Sequence, residues 1–330
     1  MQTQLFYLSL WCAKVKVMCK VTDSKFDSLL EVARIANDEI SCHKLFAYWR
    51  WSGKPSCPHC GHSEKIYTFK DGMYYKCSEC RKKFTVKVGT VFEGSNVKLG
   101  KWLLGIYLAT SHKKGISSHQ LSRDIEVTQK TAWFMLHRIR LIIRTKSFNQ
   151  PLEGIIEVDE SYVGGKEKNK HLSKRLKGTQ GRSVSTKSPV LGMVKRGGEL
   201  IVEHVSDTKG KTMQPIIGKN VSAGSTIMSD EWWGYNGLSK NYSHYIVKHG
   251  KGQYVDGIVH TNTIEGFWSL FKRGVHGIYH WTSKKHLQAY LSEFEFRYNT
   301  RHMKSSERMA LAMTNSEGER LKYEELIKND

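Results

Sequence analysis

The chain has 330 residues, 39% of them hydrophobic and 11% aromatic, which is enough to bury the cores of two or three domains and excludes general disorder. Lys and Arg total 52 against 31 Asp and Glu, so the net charge is +21. Such an excess predicts a polyanionic partner, because the release of counterions from phosphates drives association. No apolar run reaches the roughly 18 residues that span a bilayer, so we expect no membrane partner.

Residues 1–24 are interpreted as an N-terminal extension without assured structure, and Met18 is an alternative start. Residues 5–13 (LFYLSLWCA) resemble the core of a secretory signal, but the lysines follow this apolar stretch instead of preceding it. Four of the seven cysteines form CxxC pairs, and the odd total argues against an oxidised framework. These features predict a cytoplasmic protein.

Residues 25–94 are predicted to form a helix followed by a zinc ribbon. Helical periodicity covers residues 25–50, and sixteen residues that resemble a β-hairpin around Lys70-Asp71-Gly72 separate CPHC from CSEC. A strand-like run follows at 82–92. One CxxC pair could be a redox pair, but two at this spacing favour a closed, structural Zn²⁺ site. The predicted ligands are Cys57, Cys60, Cys77 and Cys80.

Residues 95–150 are predicted to be a helical, DNA-binding region. A short helix over 117–124 and a turn over 125–127 precede Thr128, a good N-cap for a second helix. This is helix-turn-helix spacing, in which the second helix enters the major groove, and Lys130 and Arg138 are the predicted contacts. An ordinary helical hairpin is the alternative, and the net charge favours the DNA-binding interpretation.

Residues 151–312 are predicted to form an α/β domain. A strand ending in acids follows residue 152, and a hairpin, a helix, two further strands and two helices come after it. This is the element order of a ribonuclease-H-like domain. The basic run 164–189, with Lys174 and Arg175, is a solvated loop, a clamp on a phosphate backbone, or both. Residues 313–330 are interpreted as a C-terminal tail.

Three acids are candidate catalytic residues. Asp159 ends the first strand of this domain, Asp230 ends the fourth, and Glu265 opens a helix, with 34 residues between it and Asp230. The first and fourth strands are neighbours in a ribonuclease-H-like sheet, so these carboxylates can share metal ions. Oxygen ligands select Mg²⁺ or Mn²⁺, and two such ions can promote an in-line phosphoryl displacement.

Glu265 has a second interpretation, because Asn262 and Glu265 also match a capping box. Lys272 lies two turns after Glu265 on the same helix face and is a predicted DNA contact, with a solvent-exposed charge as the alternative. Apolar residues three and four positions apart share one face of the helix, so Ile264, Phe267 and Phe271 are expected to pack on the sheet.

Other acids and aromatic residues near these positions are weaker candidates. Glu160 and Glu231 each follow a candidate Asp and are expected on the opposite strand face. Glu157 is expected to pair with a basic neighbour, and Glu293 with Arg297 one helical turn later. Three aromatic residues after Asp230 could stack on unpaired bases, although such a cluster more often belongs to a hydrophobic core: Trp232, Trp233 and Tyr235.

Three stretches carry a family resemblance: EVDESYVGG (157–165), SDEWWGY (229–235) and HTNTIEGFWSLFKRG (260–274). Preceded by CPHC and CSEC, they resemble bacterial insertion-sequence transposases of the zinc-ribbon DDE type, with the ISXO-like transposase domain, over roughly residues 25–310. The resemblance implies metal-dependent cleavage at transposon ends and transfer of the 3′-hydroxyl into target DNA. It also implies Asp159, Asp230 and Glu265 as metal ligands and Lys272 as the basic residue that follows them.

The third acidic position has two candidates under this resemblance, since related transposases carry Asn or Glu there. The spacing favours Glu265, and Asn262 and His260 would then support the ligands or face DNA, although His260 is also an ordinary polar residue before a helix. The alternatives in function are a DNA-binding regulator with an inactive domain and a structure-selective nuclease. Because two transposon ends must be held together, we expect a homo-oligomer on double-stranded DNA.

Overall fold

The computed structural model describes residues 26–144, 150–165, 169–176, 183–247 and 259–328, together with 255 and 257. The chain divides into two compact units. Residues up to Ile143 and from His302 onward form the first unit, and Arg144–Arg301 form the second. Within the described residues, no helix is long and apolar enough to cross a membrane.

The first unit is mainly helical and contains a small three-stranded sheet. Its helices are α1 (Leu29–Ala36), α2 (Glu39–Trp51), α3 (Leu99–Ser111), α4 (Ser118–Asp124), α5 (Gln129–Ile143), α9 (Ser305–Thr314) and α10 (Tyr323–Ile327). Its strands are β1 (Ile66–Thr68), β2 (Tyr74–Cys77) and β3 (Lys83–Thr85), in antiparallel order β1-β2-β3. The hairpin around Asp71 is therefore confirmed, whereas the strand expected over 82–92 is much shorter.

Helix α3 is anchored at its start by another element. The carboxylate of Glu39 accepts hydrogen bonds from the backbone N–H groups of Leu99 (2.9 Å) and Gly100 (3.3 Å), which have no acceptor within the helix. Position 100 must be glycine, because a Cβ there would lie 1.9 Å from the carbonyl oxygen of Ala36. The end of α1 can therefore approach the α3 backbone directly.

The second unit is built on a five-stranded mixed sheet. Its strands are β4 (Ile155–Val163), β5 (Ser188–Lys195), β6 (Leu200–His204), β7 (Thr226–Ser229) and β8 (Ser243–Ile246), in the order β6-β5-β4-β7-β8. The β4–β5 and β5–β6 pairs are antiparallel, and the β4–β7 and β7–β8 pairs are parallel. Its helices are α6 (Gly210–Asn220), α7 (Asn262–Gly274), which a π-helical turn at Val275–Tyr279 extends, and α8 (Leu287–Asn299).

The two faces of this sheet carry separate hydrophobic clusters. Ile156 and Val158 of β4 pack with Met213 and Ile217 of α6 on one face. Helices α7 and α8 cover the other face, where the predicted packing residues of α7 are all buried: Ile264, Phe267 and Phe271. Successive residues of β4 therefore face different helices, and this alternation decides where each acid of the strand points.

The segment interpreted as a C-terminal tail is packed on the first unit. Helix α9 extends to Thr314, and beyond it the N–H of Val91 donates to the Ser316 carbonyl (2.9 Å) and that of Gly318 to the Gly89 carbonyl (3.0 Å). The ring of Tyr323 lies 5.5 Å from that of Phe134 on α5. The division between the units accordingly falls after Arg301, not after residue 312.

Candidate active site

Asp159 and Asp230 lie at the same end of two neighbouring parallel strands. The register of β4 and β7 pairs Ile155 with Thr226 and Glu157 with Met228, so two residues further on both chains reach an aspartate. One carboxylate oxygen from each of Asp159, Asp230 and Glu160 lies within 4.8 Å of the other two. Three acids therefore converge where β7 ends.

This convergence is electrostatically unfavourable without a cation. Burial, followed by the charges of Glu160, Asp230 and Glu265, raises the pKa of Asp159 to about 8. A divalent cation would relieve the repulsion, and the donors are carboxylate oxygens of the kind that Mg²⁺ and Mn²⁺ prefer. The residues present therefore fit a metal site.

The position of Glu160 corrects the expectation that it lies away from the site. Its backbone does direct it to the face opposite Asp159, where its carboxylate accepts a hydrogen bond from the buried Tyr235 hydroxyl at 2.8 Å. Because β7 stops at Ser229, no strand flanks β4 on the β7 side beyond that point, although β5 still pairs with it on the other side. The longer glutamate side chain can then reach the cluster. Glu231 is exposed and is not one of these three acids.

Glu265 borders the same site from α7. It lies outside the 4.8 Å group, on the wall of a cleft of about 530 Å³ that Asp159 and Glu160 also line. Its carboxylate accepts a hydrogen bond from the Thr261 hydroxyl at 3.0 Å. The cleft continues to three cationic or titratable side chains on and after α7: Lys272, Arg273 and His276. One end of the cleft is thus acidic and the other basic.

A second glutamate of β4 fixes the start of α7. The fully buried carboxylate of Glu157 accepts hydrogen bonds from the backbone N–H groups of Thr263 (2.8 Å) and Ile264 (3.0 Å) and from the Thr263 hydroxyl (2.8 Å). Arg196 donates its Nε–H to the same carboxylate at 2.7 Å, which confirms the expected basic partner. His260 Nδ1 lies 3.4 Å from it, and His260 is not among the described residues that line the cleft.

Asn262 does not cap this helix. The N-cap residue is Thr261, and Glu157 binds the amides that a capping side chain would bind. Asn262 is the exposed first residue of α7. The capping-box interpretation of Asn262 and Glu265 is therefore wrong for the geometry, and Asn262 as a metal ligand stays a hypothesis.

The four paired cysteines of the first unit form a second candidate metal site. Their sulfur atoms lie within 4.8 Å of one another, with Cys57 Sγ 3.6 Å from Cys80 Sγ and Cys60 Sγ 3.7 Å from Cys77 Sγ. Zn–S bonds of about 2.3 Å in a tetrahedron place sulfur atoms about 3.8 Å apart, whereas a disulfide needs about 2.05 Å. Burial raises the pKa of the Cys57 thiol, but hydrogen bonds from the backbone N–H groups of His59 and Cys60 and from the Cys80 and Cys60 side chains together outweigh it and leave that pKa at about 7. The site fits zinc.

The predicted DNA-contacting residues have different surroundings. Thr128 Oγ1 accepts the Thr131 N–H at 3.2 Å as expected of an N-cap, and Lys130 is exposed, with Nζ 4.6 Å from the centre of the Tyr323 ring. Arg138 is only 6% exposed, and its guanidinium donates to the Leu321 carbonyl at 3.0 Å, so it is turned inward.

In the basic run, Arg175 is exposed and donates its Nε–H to the Lys170 carbonyl at 2.9 Å. The side chain of Lys174 lies outside the described part of the structure. The residues at 166–168 and 177–182 of the same run also lie outside it.

Comparison with known protein families identifies the family to which the chain that carries these two sites belongs. The ISXO2-like transposase domain matches residues 151–299, and the transposase zinc-ribbon domain matches residues 37–83. A protein in transposable element ISH50 of Halobacterium salinarum, itself uncharacterized, is 32% identical over 271 residues, covering 77% of this chain and 88% of its own. The chain belongs to the ISXO2-like transposase family.

A shorter relative covers part of this ISXO2-like chain. An uncharacterized transposase-like protein of Haemophilus influenzae is 28% identical over 102 residues, which are 31% of this chain and 81% of its own. The ISXO2-like domain match contains Asp159, Asp230 and Glu265, and the ribbon match contains all four paired cysteines: Cys57, Cys60, Cys77 and Cys80. The predicted family is thus confirmed.

The sequence alone does not indicate the roles of two residues at the ISXO2-like site, Glu160 and Glu157. Strand alternation alone directs Glu160 away from the site, although Tyr235, whose hydroxyl can donate a hydrogen bond, follows Asp230 closely in the sequence. Glu157 was expected to form a pair, but not to hold the first turn of α7. A buried acid two residues before Asp159 on the same strand face was the available signal.

Proposed function

We propose that this ISXO2-like protein is the transposase of its insertion sequence, cutting DNA at the element's ends and joining the freed 3′-hydroxyl to target DNA. The observation that carries the proposal is the convergence of three carboxylates within 4.8 Å, beside a cleft whose far end is cationic. The sheet order β6-β5-β4-β7-β8, with antiparallel first strands and parallel last ones, supports a ribonuclease-H-like fold for this unit.

Asp159, Asp230 and Glu265 are the proposed ligands of Mg²⁺ or Mn²⁺, with Glu160 next to them. When bound, two such ions activate an attacking oxygen and stabilise a leaving one. The raised pKa of Asp159, caused first by burial and then by the neighbouring carboxylates, supports a cation in this position. The zinc ribbon is proposed to be structural, because four thiolates leave no open coordination position.

The chain's own residues would orient these acids and the DNA. The backbone N–H of Trp232 donates to Asp230 Oδ1 at 3.0 Å, and Tyr235 holds Glu160, so both carboxylates have fixed directions. Lys272 and Arg273 can bind the phosphates that flank the scissile one.

Two displacements at phosphorus would then follow at the same site. Water first attacks the phosphorus, the P–O3′ bond breaks, and a free 3′-hydroxyl remains. That hydroxyl next attacks a target phosphodiester, forming a new bond and releasing a target 3′-hydroxyl.

The first unit is proposed to recognise the terminal repeats through the ribbon and helices α4 and α5, with Lys130 as a contact, while Lys174 and Arg175 contact DNA near the catalytic unit. Arg138 is the weakest of the proposed contacts, because its guanidinium is bound to Leu321. Both ends must be joined in one event, so we propose a homo-oligomer on DNA, acting in the cytoplasm.

Strand cleavage and joining on a labelled duplex with the parent element's terminal repeat tests this function. We expect nicked and joined products with Mg²⁺ or Mn²⁺ and none with EDTA. Asp159→Asn, Asp230→Asn and Glu265→Gln should each reduce both products by at least about 100-fold, since each removes a ligand charge. Glu231→Gln, a matched change of an exposed acid next to Asp230, should keep wild-type rates.

Other outcomes identify the alternatives. Nicking without joined product would indicate a nuclease, and binding without chemistry in any metal would indicate a DNA-binding regulator. If Asn262→Ala were inactive and Glu265→Gln active, the third ligand would be Asn262.

A further inference from the structure

A second cavity, of about 700 Å³, opens beside the acidic cleft in the catalytic unit. Lys272 and His276 line both spaces, so a molecule that fills this cavity lies next to whatever occupies the cleft. Its volume is within the range of small-molecule sites. None of the proposed metal ligands lines it.

The cavity combines an apolar floor with a cationic rim. Phe271 and Val275, both buried, form part of the floor. Lys187 and Lys272 stand at the rim with His276 and His280, and no Asp or Glu is among the described residues that line it. At the end of β4, Gly164 and Gly165 also line the cavity, and a Cβ on Gly164 would approach Lys187 Cγ and the Thr186 carbonyl oxygen to 3.1 Å, so a side chain there has little room. A flat, apolar group attached to negative charge would complement these surroundings.

Trp281 stands at the edge of this cavity and is 71% exposed, the highest value for any Trp, Tyr or Phe among the described residues. Because this exposed ring borders a cavity, its flat apolar face is accessible to a molecule that enters the cavity. The cavity therefore contains a stacking surface of the type that nucleic-acid-binding proteins offer to bases.

The loop that carries Trp281 is held in place. It follows the π-helical turn, a local irregularity that is frequent at functional sites. The Tyr279 hydroxyl donates to Glu293 on α8, and the Tyr279 ring lies 4.8 Å from that of Tyr290. His280 has a φ of 60°, in the left-handed region, and its Nδ1 lies 3.0 Å from the His276 carbonyl oxygen. Trp281 is thus presented on an ordered support.

We propose that this cavity takes one unpaired nucleobase of the DNA strand next to the scissile phosphate. Trp281 stacks on the base, and Lys187 and Lys272 bind the phosphates on either side of it. The proposal rests on the proposed function and adds a specific subsite to it. A second copy of this chain fits the rim less well, because it too carries a charge of +21.

The test measures the affinity for terminal-repeat duplexes with a single mispaired or abasic position near the scissile phosphate. Asp159→Asn is the background, so that no cleavage occurs. At one position we expect the mispaired duplex to bind more tightly than the abasic one by roughly 5- to 150-fold, the range for one stacked base. Adding Trp281→Ala should remove this difference, and Trp281→Phe should retain most of it.

Tyr245→Ala is the matched control, because Tyr245 is a half-exposed aromatic residue on the edge strand β8 and should leave the difference unchanged. The proposal is overturned if no position distinguishes the two duplexes, or if the difference survives Trp281→Ala. A Trp281-dependent change in oligomeric state without a base-dependent difference would make this surface a protein interface instead.

Failure of the subsite and failure of the proposed function give different results. Metal-dependent cleavage by the wild type without a Trp281-dependent difference removes the subsite alone. A Trp281-dependent difference in a protein that never cleaves would retain the subsite and remove the catalytic proposal. A protein that binds no duplex would overturn both.

Discussion

At the scale of single residues, Glu157 determines where helix α7 begins. Its buried carboxylate accepts four hydrogen bonds, two from the free amides at the start of α7 and one each from Thr263 Oγ1 and Arg196. A negative charge at a helix N-terminus is favourable, and the charge of the Arg196 guanidinium offsets the cost of burying the Glu157 carboxylate. Glu157 thus positions Glu265 without lining the cleft.

Glu157→Gln should therefore destabilise the catalytic unit. The change removes the charge that pairs with Arg196. It also places an amide N–H₂ group against hydrogen-bond donors of α7 or Arg196, so we expect the free energy of unfolding to fall by about 3 kcal/mol. Urea unfolding followed by circular dichroism measures the loss. Glu153→Gln, the same change at an exposed position just before β4, is the control. Equal unfolding midpoints for the two variants would contradict this role.

The aspartates were predictable from the sequence, and the roles of the neighbouring glutamates were not. Asp159 and Asp230 each end a recognisable strand, and parallel neighbours bring such positions together. Alternation correctly predicts the face on which Glu160 leaves β4, but it contains no information on where β7 stops. It also does not show that Glu157 meets a helix that begins more than a hundred residues later.

At the scale of elements, the ribbon and the C-terminal segment show where local patterns succeed and fail. Both CxxC pairs and the hairpin were predictable, because the ligand spacing and the Asp71-Gly72 turn are local signals. The segment after α9 has no strong periodicity, yet Tyr323 packs on Phe134 and the Leu321 carbonyl accepts from Arg138. Those contacts join residues far apart in the chain, so composition alone indicated a tail.

Cys77→Ser should remove the zinc and destabilise the ribbon, because serine is a poor zinc ligand and so small a sheet depends on its metal. The matched control is Cys42→Ser. Burial raises the pKa of Cys42 to about 12, and its thiol donates to the Ile35 carbonyl at 3.3 Å, a bond that serine can keep.

Zinc content by mass spectrometry and the melting temperature are the two measurements. We expect one zinc per chain in the wild type and in Cys42→Ser, and at least about tenfold less in Cys77→Ser. Stoichiometric zinc in Cys77→Ser would rule out the four-thiolate site.

At the scale of the whole molecule, the charge of +21 bears on the proposed binding of DNA. Only a part of this charge lies at the acidic cleft, where Lys272 and Arg273 extend the site. In the proposed function, the remainder would supply affinity for DNA that does not depend on base sequence. Specificity must then come from defined contacts, such as those proposed for α5 and for Trp281.

The salt dependence of binding measures these contacts one at a time. The logarithm of the association constant should fall linearly with the logarithm of salt concentration, and Lys272→Ala should reduce the slope by about one if Lys272 binds a phosphate. Lys219→Ala is the control, since Lys219 is exposed on α6, which packs on the other face of the sheet. Fluorescence anisotropy between 50 and 200 mM salt is suitable, and an unchanged slope for Lys272→Ala would exclude the contact.

The residue opposite Asp159 on the neighbouring strand is Gly192, and a Cβ there would lie 2.7 Å from the Trp268 ring and 2.8 Å from Ile264. Helix α7 therefore rests directly on the backbone of β5. The absence of a side chain at Gly192 sets the distance of Glu265 from the sheet. It thereby also sets the gap between the acid on the helix and the acids on the strands. In the proposed active site, the space available to metal ions therefore depends on a position with no chemistry of its own.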